Sequence, residues 1–89
     1  MKMNECNIGI ATRVESAIRE FETGMLNLDE VQSTLASAAS LFENDGAGAS
    51  ELVRIAEADL ELIRFSMLVE EQRPAAMFRL DELRTTLCF

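Results

Sequence analysis

The sequence predicts an all-α fold, a small antiparallel bundle of three main helices with a short C-terminal helix after Pro74. Apolar residues recur at helical spacing through most of the 89 residues. One proline and four glycines leave long segments free of helix breakers. The 48% hydrophobic content is that of a folded chain, and the length fits a single helical domain over residues 1–89.

The first helix is predicted from an apolar stripe that runs up to Gly24, a residue typical of helix C-termini. Its members are Ile10, Val14, Ala17, Ile18, Phe21 and Met25. Polar residues cover the other side. The pattern therefore indicates an amphipathic helix with one buried face.

The second helix is predicted to begin beside Asn27, because Asn27 and Glu30 have the spacing of a capping box. Its stripe contains Leu28, Val31, Leu35, Ala38, Ala39 and Phe42. Residues 43–50 combine turn formers with Gly46 and Gly48 but lack the ligand spacing of a calcium loop. They predict a turn between helices, with Ser50 as a cap for the third helix.

The third helix is predicted over residues 51–73 and has two apolar stripes. The first stripe is Leu52, Val53, Ala56, Leu60, Ile63 and Met67; the second stripe is Ile55, Ala58, Leu62, Phe65 and Val69. Asp59 and Ser66 separate them, and the use of Asp59 stays open. On the polar face the spacing predicts pairing of Arg54 with Glu57 and of Glu61 with Arg64.

A helix with two apolar stripes needs cover on both sides, because each large apolar side chain left in water forgoes about 1.5–3 kcal/mol. Three partners could cover the second stripe: the C-terminal helix of the same chain, a second copy, or a different protein. The sequence leaves these three alternatives open.

Pro74 is expected to end the third helix, because proline lacks an amide hydrogen and disfavours helix at the preceding residue. Alternatively, the helix kinks at Pro74 and continues as one long rod. A shorter stripe follows, made of Ala76, Leu80, Leu83 and Leu87.

Thirteen residues of these stripes are the predicted core. They are Ile10, Val14, Ile18, Phe21, Leu28, Val31, Leu35, Phe42, Leu52, Ala56, Leu60, Ile63 and Met67.

The charge balance limits the classes of partner. Sixteen acidic residues against eight basic ones give a net charge of -8, most of it between residues 28 and 73. Such a field opposes direct contact with nucleic acid or an anionic membrane surface and favours a basic protein.

Catalytic chemistry has few candidate residues. The chain contains no histidine, and its single lysine is Lys2. A serine or cysteine nucleophile therefore lacks its usual base, and a carboxylate–histidine metal centre lacks its histidine. We expect no enzyme, no cofactor and no metal site.

Cysteine usage and hydropathy favour a cytoplasmic protein. Cys6 and Cys88 are too few for a disulfide framework, so we expect two thiols, with a terminal staple or an intermolecular link as the alternative. Neither a secretory signal nor a membrane span is evident.

These features together predict a small acidic non-catalytic binding protein. In size, charge and helical content the chain is similar to small acidic inhibitors such as the immunity proteins of bacterial toxin systems. That likeness implies neutralisation of a basic partner that could itself act on nucleic acid. The alternative is a homo-oligomeric helical scaffold or accessory subunit assembled through the second stripe. The predicted protein-binding residues are acidic Asp45, Glu51, Glu57 and Glu61 and apolar Ile55, Leu62, Phe65 and Val69.

Overall fold

The computed structural model describes residues 5–42 and 48–87, which form four helices. These are α1 (Glu5–Glu22), α2 (Leu28–Ala39), α3 (Ala49–Ser66) and α4 (Val69–Thr86). Within those ranges there is no β-strand. The predicted all-α class is confirmed.

The connection between α1 and α2 follows the sequence signals. Gly24 has a φ of +88°, a left-handed conformation that glycine adopts without a steric penalty. The Asn27 side chain accepts from the Glu30 amide at 2.8 Å, and the Asn27 amide donates to the Glu30 carboxylate at 2.9 Å. This reciprocal capping box starts α2 at Leu28, as predicted.

The start of α3 differs from the prediction. Gly48, with a φ of +77°, precedes the helix, and Ser50 lies inside its first turn. The Ser50 hydroxyl donates to the backbone oxygen of Ala39 at 2.7 Å. Ser50 therefore stabilises the C-terminal end of α2, where carbonyls lack helical partners, and its expected role as a cap of α3 is wrong.

The predicted helix over residues 51–73 is wrong, because α3 ends at Ser66. Met67 is extended, with φ −114° and ψ 153°. The Gln72 amide nitrogen reaches back and donates to the oxygens of Arg64 at 3.2 Å and Met67 at 3.0 Å. These bonds satisfy backbone oxygens at the end of α3 and hold the chain reversal into α4.

Pro74 lies inside α4, so both the predicted corner at Pro74 and the predicted short helix after it are wrong. The amide hydrogen missing at Pro74 would have bonded the carbonyl of Glu70. Pro74 and Glu70 are both exposed, so water can reach that carbonyl. The helix consequently continues through the proline to Thr86.

Contacts between α2 and α3 occur in reversed sequence order. Asp29 near the start of α2 contacts Arg64 near the end of α3, whereas Ala39 at the end of α2 contacts Ser50 at the start of α3. This is the order expected of helices joined by a connection that reverses the chain.

Arg73 of α4 fixes the end of α1. Its guanidinium lies 4.5 Å from the centroid of the Phe21 ring and donates to the backbone oxygens of Phe21 and, at 3.2 Å, of Glu22. A cation at the C-terminal end of a helix also interacts favourably with the helix dipole. Arg73 thus links the first and last helices.

The predicted core is mostly confirmed. Leu28, Phe42, Leu52 and Ile63 are partly buried and pack against the core, but Met67 is 38% exposed because it lies in the chain reversal. The remaining eight predicted residues are buried. The C-terminal stripe of Ala76, Leu80, Leu83 and Leu87 joins this core. Two buried polar residues, Asn7 and Gln32, were not predicted.

We expect Leu60→Ala to lower the free energy of unfolding by about 2–5 kcal/mol, because Leu60 is fully buried and truncation leaves a cavity. Leu62→Ala, two residues away on the exposed face, should change it by less than about 0.5 kcal/mol. Urea denaturation followed by circular dichroism measures both. Equal effects of the two substitutions would contradict the assignment of buried and exposed faces.

Candidate protein-binding surface

The second stripe is exposed to solvent, but its predicted place on one helix is wrong for Val69, which is the first residue of α4. Ile55 is 45% exposed, Leu62 64%, Phe65 75% and Val69 80%, and Ala58 is exposed as well. The alternative in which the C-terminal helix covers this stripe is therefore wrong. The four large side chains are the apolar half of the predicted binding residues, and the structure places them on an open surface.

The second stripe is exposed because the chain reverses direction at Met67 and Leu68. Because α3 ends at Ser66, α4 turns back early, and its apolar residues Leu80 and Leu83 join the core together with the first stripe. The buried apolar residues of α4 therefore pack against the core and not against the second stripe. Nothing among the described residues is left to cover the second stripe.

The reversal itself adds to the exposed apolar surface. Leu68 is 63% exposed between the two helices, next to Val69. On α4, Phe78 is also exposed, at 77%.

The four predicted acidic binding residues occupy different environments. Asp45 lies outside the described residues. Glu51 is exposed and forms an ion pair with Arg54 at 3.6 Å, so Arg54 does not pair with Glu57 as predicted. Glu61 is exposed and has no ion-pair partner within the described ranges, so its predicted pairing with Arg64 is also wrong.

Glu57 belongs to a polar network between α2 and α3. The buried Gln32 donates its amide to Glu57 at 2.9 Å and accepts from Arg64 at 2.5 Å. Arg64 also contacts Asp29 at 3.1 Å. Glu57 is half-buried, and its carboxylate accepts a hydrogen bond from Gln32. Its main role in the structure is therefore to join α3 to α2, and it is less available than Glu61 for contact with a partner.

Asp59 has a partner on α4. Its carboxylate contacts Arg79 at 2.5 Å, and Arg79 also contacts Glu82 at 3.2 Å. The polar seam between the two stripes therefore joins α3 to α4. The pairing was not predicted, because Asp59 and Arg79 are twenty residues apart and lie on different helices.

Negative charge without a partner lies beside the second stripe. Glu61 precedes Leu62, and Glu70 and Glu71 follow Val69; all three are exposed. None of them forms an ion pair with another described residue. We call these three residues the acidic rim.

The neighbouring arginines, in contrast, are engaged within the chain. Arg54 pairs with Glu51, and Arg79 pairs with acids of both α3 and α4. Arg64 and Arg73 contact residues of α2 and α1. The uncompensated charge around the stripe is therefore negative.

A cavity of about 520 Å³ between α1 and α4 is a weaker candidate. Its lining is mostly apolar, and Val14 and Ile18 within it are fully buried. The charged lining residues are already paired, Glu15 with Arg19 and Arg84 with Asp81. This cavity has no convergent polar groups available for recognition.

The described residues contain neither a membrane-spanning helix nor a cluster of metal-ligating side chains. No helix there is long and apolar enough to cross a membrane. No group of three or more histidine, cysteine, aspartate or glutamate side chains is arranged to hold a metal ion in this part of the chain. Cys6 is exposed at the start of α1, and Cys88 lies outside the described ranges.

No protein-family model, no curated protein and no solved structure gives a significant match to this chain.

We expect Gln32→Ala to lower the free energy of unfolding by about 1–3 kcal/mol, because it removes the hydrogen-bond partner of Glu57 and one of the partners of Arg64 at a partly buried site. Ser33→Ala, at the exposed neighbouring position, should be within about 0.5 kcal/mol of the wild type. Thermal or urea unfolding measures both. A mild Gln32→Ala variant would show that the network does not hold α2 to α3.

Proposed function

We propose that this chain is a small non-catalytic inhibitor, of the immunity type, that binds a basic protein through the second stripe and the acidic rim. Its four helices would serve as one antiparallel bundle that presents this surface. The observation that supports the proposal most strongly is an exposed apolar stripe beside unpaired glutamates, in a chain whose nearby arginines are already engaged.

The apolar component argues for a binding surface. Large apolar side chains that adjoin each other on a surface commonly mark an interaction site. Ile55, Leu62, Phe65 and Val69 are all at least 45% exposed, and burial of each would contribute on the order of 1 kcal/mol or more. Aromatic residues such as Phe65 are enriched at the centres of protein interfaces.

The charge component argues for the chemistry of the partner. The chain carries a net charge of -8, and the acidic rim puts uncompensated charge beside the stripe. A complementary positive surface would speed association and select the partner. Proteins that act on nucleic acid carry such surfaces, and an acidic domain docked there would block the phosphate-binding site.

A second copy of the chain is the alternative occupant, which would make the protein a homo-oligomeric scaffold. The same exposed stripe supports that alternative. However, a symmetric pair would bring two acidic rims near each other, and like charges at an interface are unfavourable. The charge distribution therefore favours a different, basic protein over self-association.

The absence of catalysis and the cytoplasmic location are part of the proposal. The sequence has no histidine to act as a general base, and two cysteines do not make a disulfide framework. An inhibitor that meets its target by diffusion needs neither a cofactor nor a metal.

We expect Glu61→Lys combined with Glu71→Lys to weaken binding of the basic partner by about tenfold or more, because the rim would then repel it. The tagged chain would first be used to isolate the partner. The dissociation constant would then be measured with the purified partner at several salt concentrations, and wild-type binding should weaken as salt rises.

The matched control is Glu5→Lys with Glu20→Lys, which makes the same change in net charge on exposed positions of α1. It should reduce affinity by only about twofold, through the long-range field alone. An acidic partner, or binding that both double variants weaken equally, would contradict the proposed use of the rim.

A further inference from the structure

Two chain reversals lie at the same end of the molecule. Residues 24–27 join α1 to α2, and residues 67–68 join α3 to α4. Asp29 in the first turn of α2 contacts Arg64 in the last turn of α3 at 3.1 Å. Near the start of α4, the guanidinium of Arg73 donates to backbone oxygens at the end of α1. These contacts bring the two reversals together, and we call the surface that they form the bundle tip.

The bundle tip exposes apolar side chains from both reversals. Met25, in the connection between α1 and α2, is 75% exposed. Phe65, Leu68 and Val69, around the connection between α3 and α4, are all more than half exposed. The apolar surface thus extends from the end of the second stripe to a second connection. Exposed apolar side chains gathered in one place commonly mark an interaction site.

Acidic residues accompany these apolar side chains. The first turns of α2 and α4 each carry two acids, Asp29 with Glu30 and Glu70 with Glu71. Asp29 is paired with Arg64, and Glu30 accepts one backbone amide. Among the described residues, Glu30, Glu70 and Glu71 have no ion-pair partner.

The arginines of this end are engaged within the chain. Arg64 is paired with Asp29, and the guanidinium of Arg73 lies over an aromatic ring of α1. Arg19, in the last turn of α1, pairs with an acid four residues earlier. The carboxylates of the bundle tip are therefore not neutralised by these arginines, and the tip favours a positive surface.

The bundle tip is a narrow end of the molecule. The principal extents are 38 × 22 × 19 Å. Three of the helices have 18 residues and are about 27 Å long, which exceeds the two shorter extents. The helices therefore run along the longest extent, and the reversals lie at one end of it. A narrow end fits a concave surface better than a flat one.

We infer that the basic partner receives the bundle tip end-on in a positively charged cleft, with Met25 and Leu68 against apolar groups inside it. The inference rests on the proposed function, gives the shape of the partner's surface, and adds the connection between α1 and α2 to the contact. Charge favours this occupant over two others. Two copies meeting tip to tip would oppose like charges, and an anionic membrane would repel the tip.

The first probe is hexylguanidinium, a short apolar chain with the cation of arginine, and its counterpart is hexyl sulfate. Each is titrated into the ¹⁵N-labelled full chain and followed by NMR. We expect hexylguanidinium to shift amides of residues 25–30 and 65–71 at least twofold more than those of residues 36–41, at the opposite end. Hexyl sulfate should shift none of them, because the acidic side chains repel it.

Variants test the contact with the isolated partner. Met25→Ser combined with Leu68→Ser should weaken binding by about tenfold or more, because both side chains lose apolar contacts at the centre of the interface. Leu41→Ser with Phe78→Ser is the matched control, since both residues are exposed but lie away from the tip. Its effect should stay within about twofold. Circular dichroism checks that each variant remains helical.

The shape of the partner's surface is read from cross-links. A photoreactive group at position 25 or 68 should react with residues of one cleft lined by lysine and arginine. Cross-links to a flat or acidic surface, equal effects of the two double variants, or a wild-type chain that sediments as a dimer would overturn the inference.

The outcomes separate the inference from the proposed function. A basic partner that is sensitive to reversal of Glu61 and Glu71 but not to Met25→Ser with Leu68→Ser would defeat the end-on inference alone. If hexylguanidinium binds at the tip but the captured partner is acidic, the proposed function is defeated instead. Probe shifts as large at residues 36–41 as at the tip would contradict recognition by the tip.

Discussion

The chain reversal at Met67 and Leu68 determines which side of α3 the protein buries. Because α3 stops at Ser66, α4 folds back and joins Leu60 in the core through Leu80 and Leu83. Had the helix run on to Arg73, the C-terminal apolar residues would have met a different part of α3. The exposed second stripe is thus a direct consequence of where one helix ends.

Polar contacts fix the geometry that the apolar core leaves undefined. Apolar packing is non-directional, whereas hydrogen bonds and ion pairs require one register. Gln32 sets α2 against α3 through Glu57 and Arg64, and Asp59 sets α3 against α4 through Arg79. These contacts occupy Arg64 and Arg79, so neither arginine pairs with the glutamates of the acidic rim.

Sequence patterns predicted what depends on local residues. The helical class, the capping box at Asn27, the turn at Gly24 and the two stripes of α3 all follow from spacing and residue type. The end of α3 did not, because no glycine or proline marks Met67; a side chain from the next helix, Gln72, stabilises it. The role of Glu57 likewise depends on Gln32, 25 residues away. Pairings between helices need the tertiary structure.

In the proposed complex, the apolar stripe would supply most of the binding free energy, and the acidic rim would select the partner. Burial of Leu62 and Phe65 supplies free energy but cannot tell one apolar partner from another, because the hydrophobic effect is non-directional. The charges of Glu61, Glu70 and Glu71 add little affinity when exposed, yet they raise the rate of encounter with a positive surface and oppose a negative one. Under the proposed function, exposing both would let the chain bind a basic protein while like charges oppose pairing with its own copies. On that proposal, the acidic rim and the uncovered stripe would act together as one binding surface.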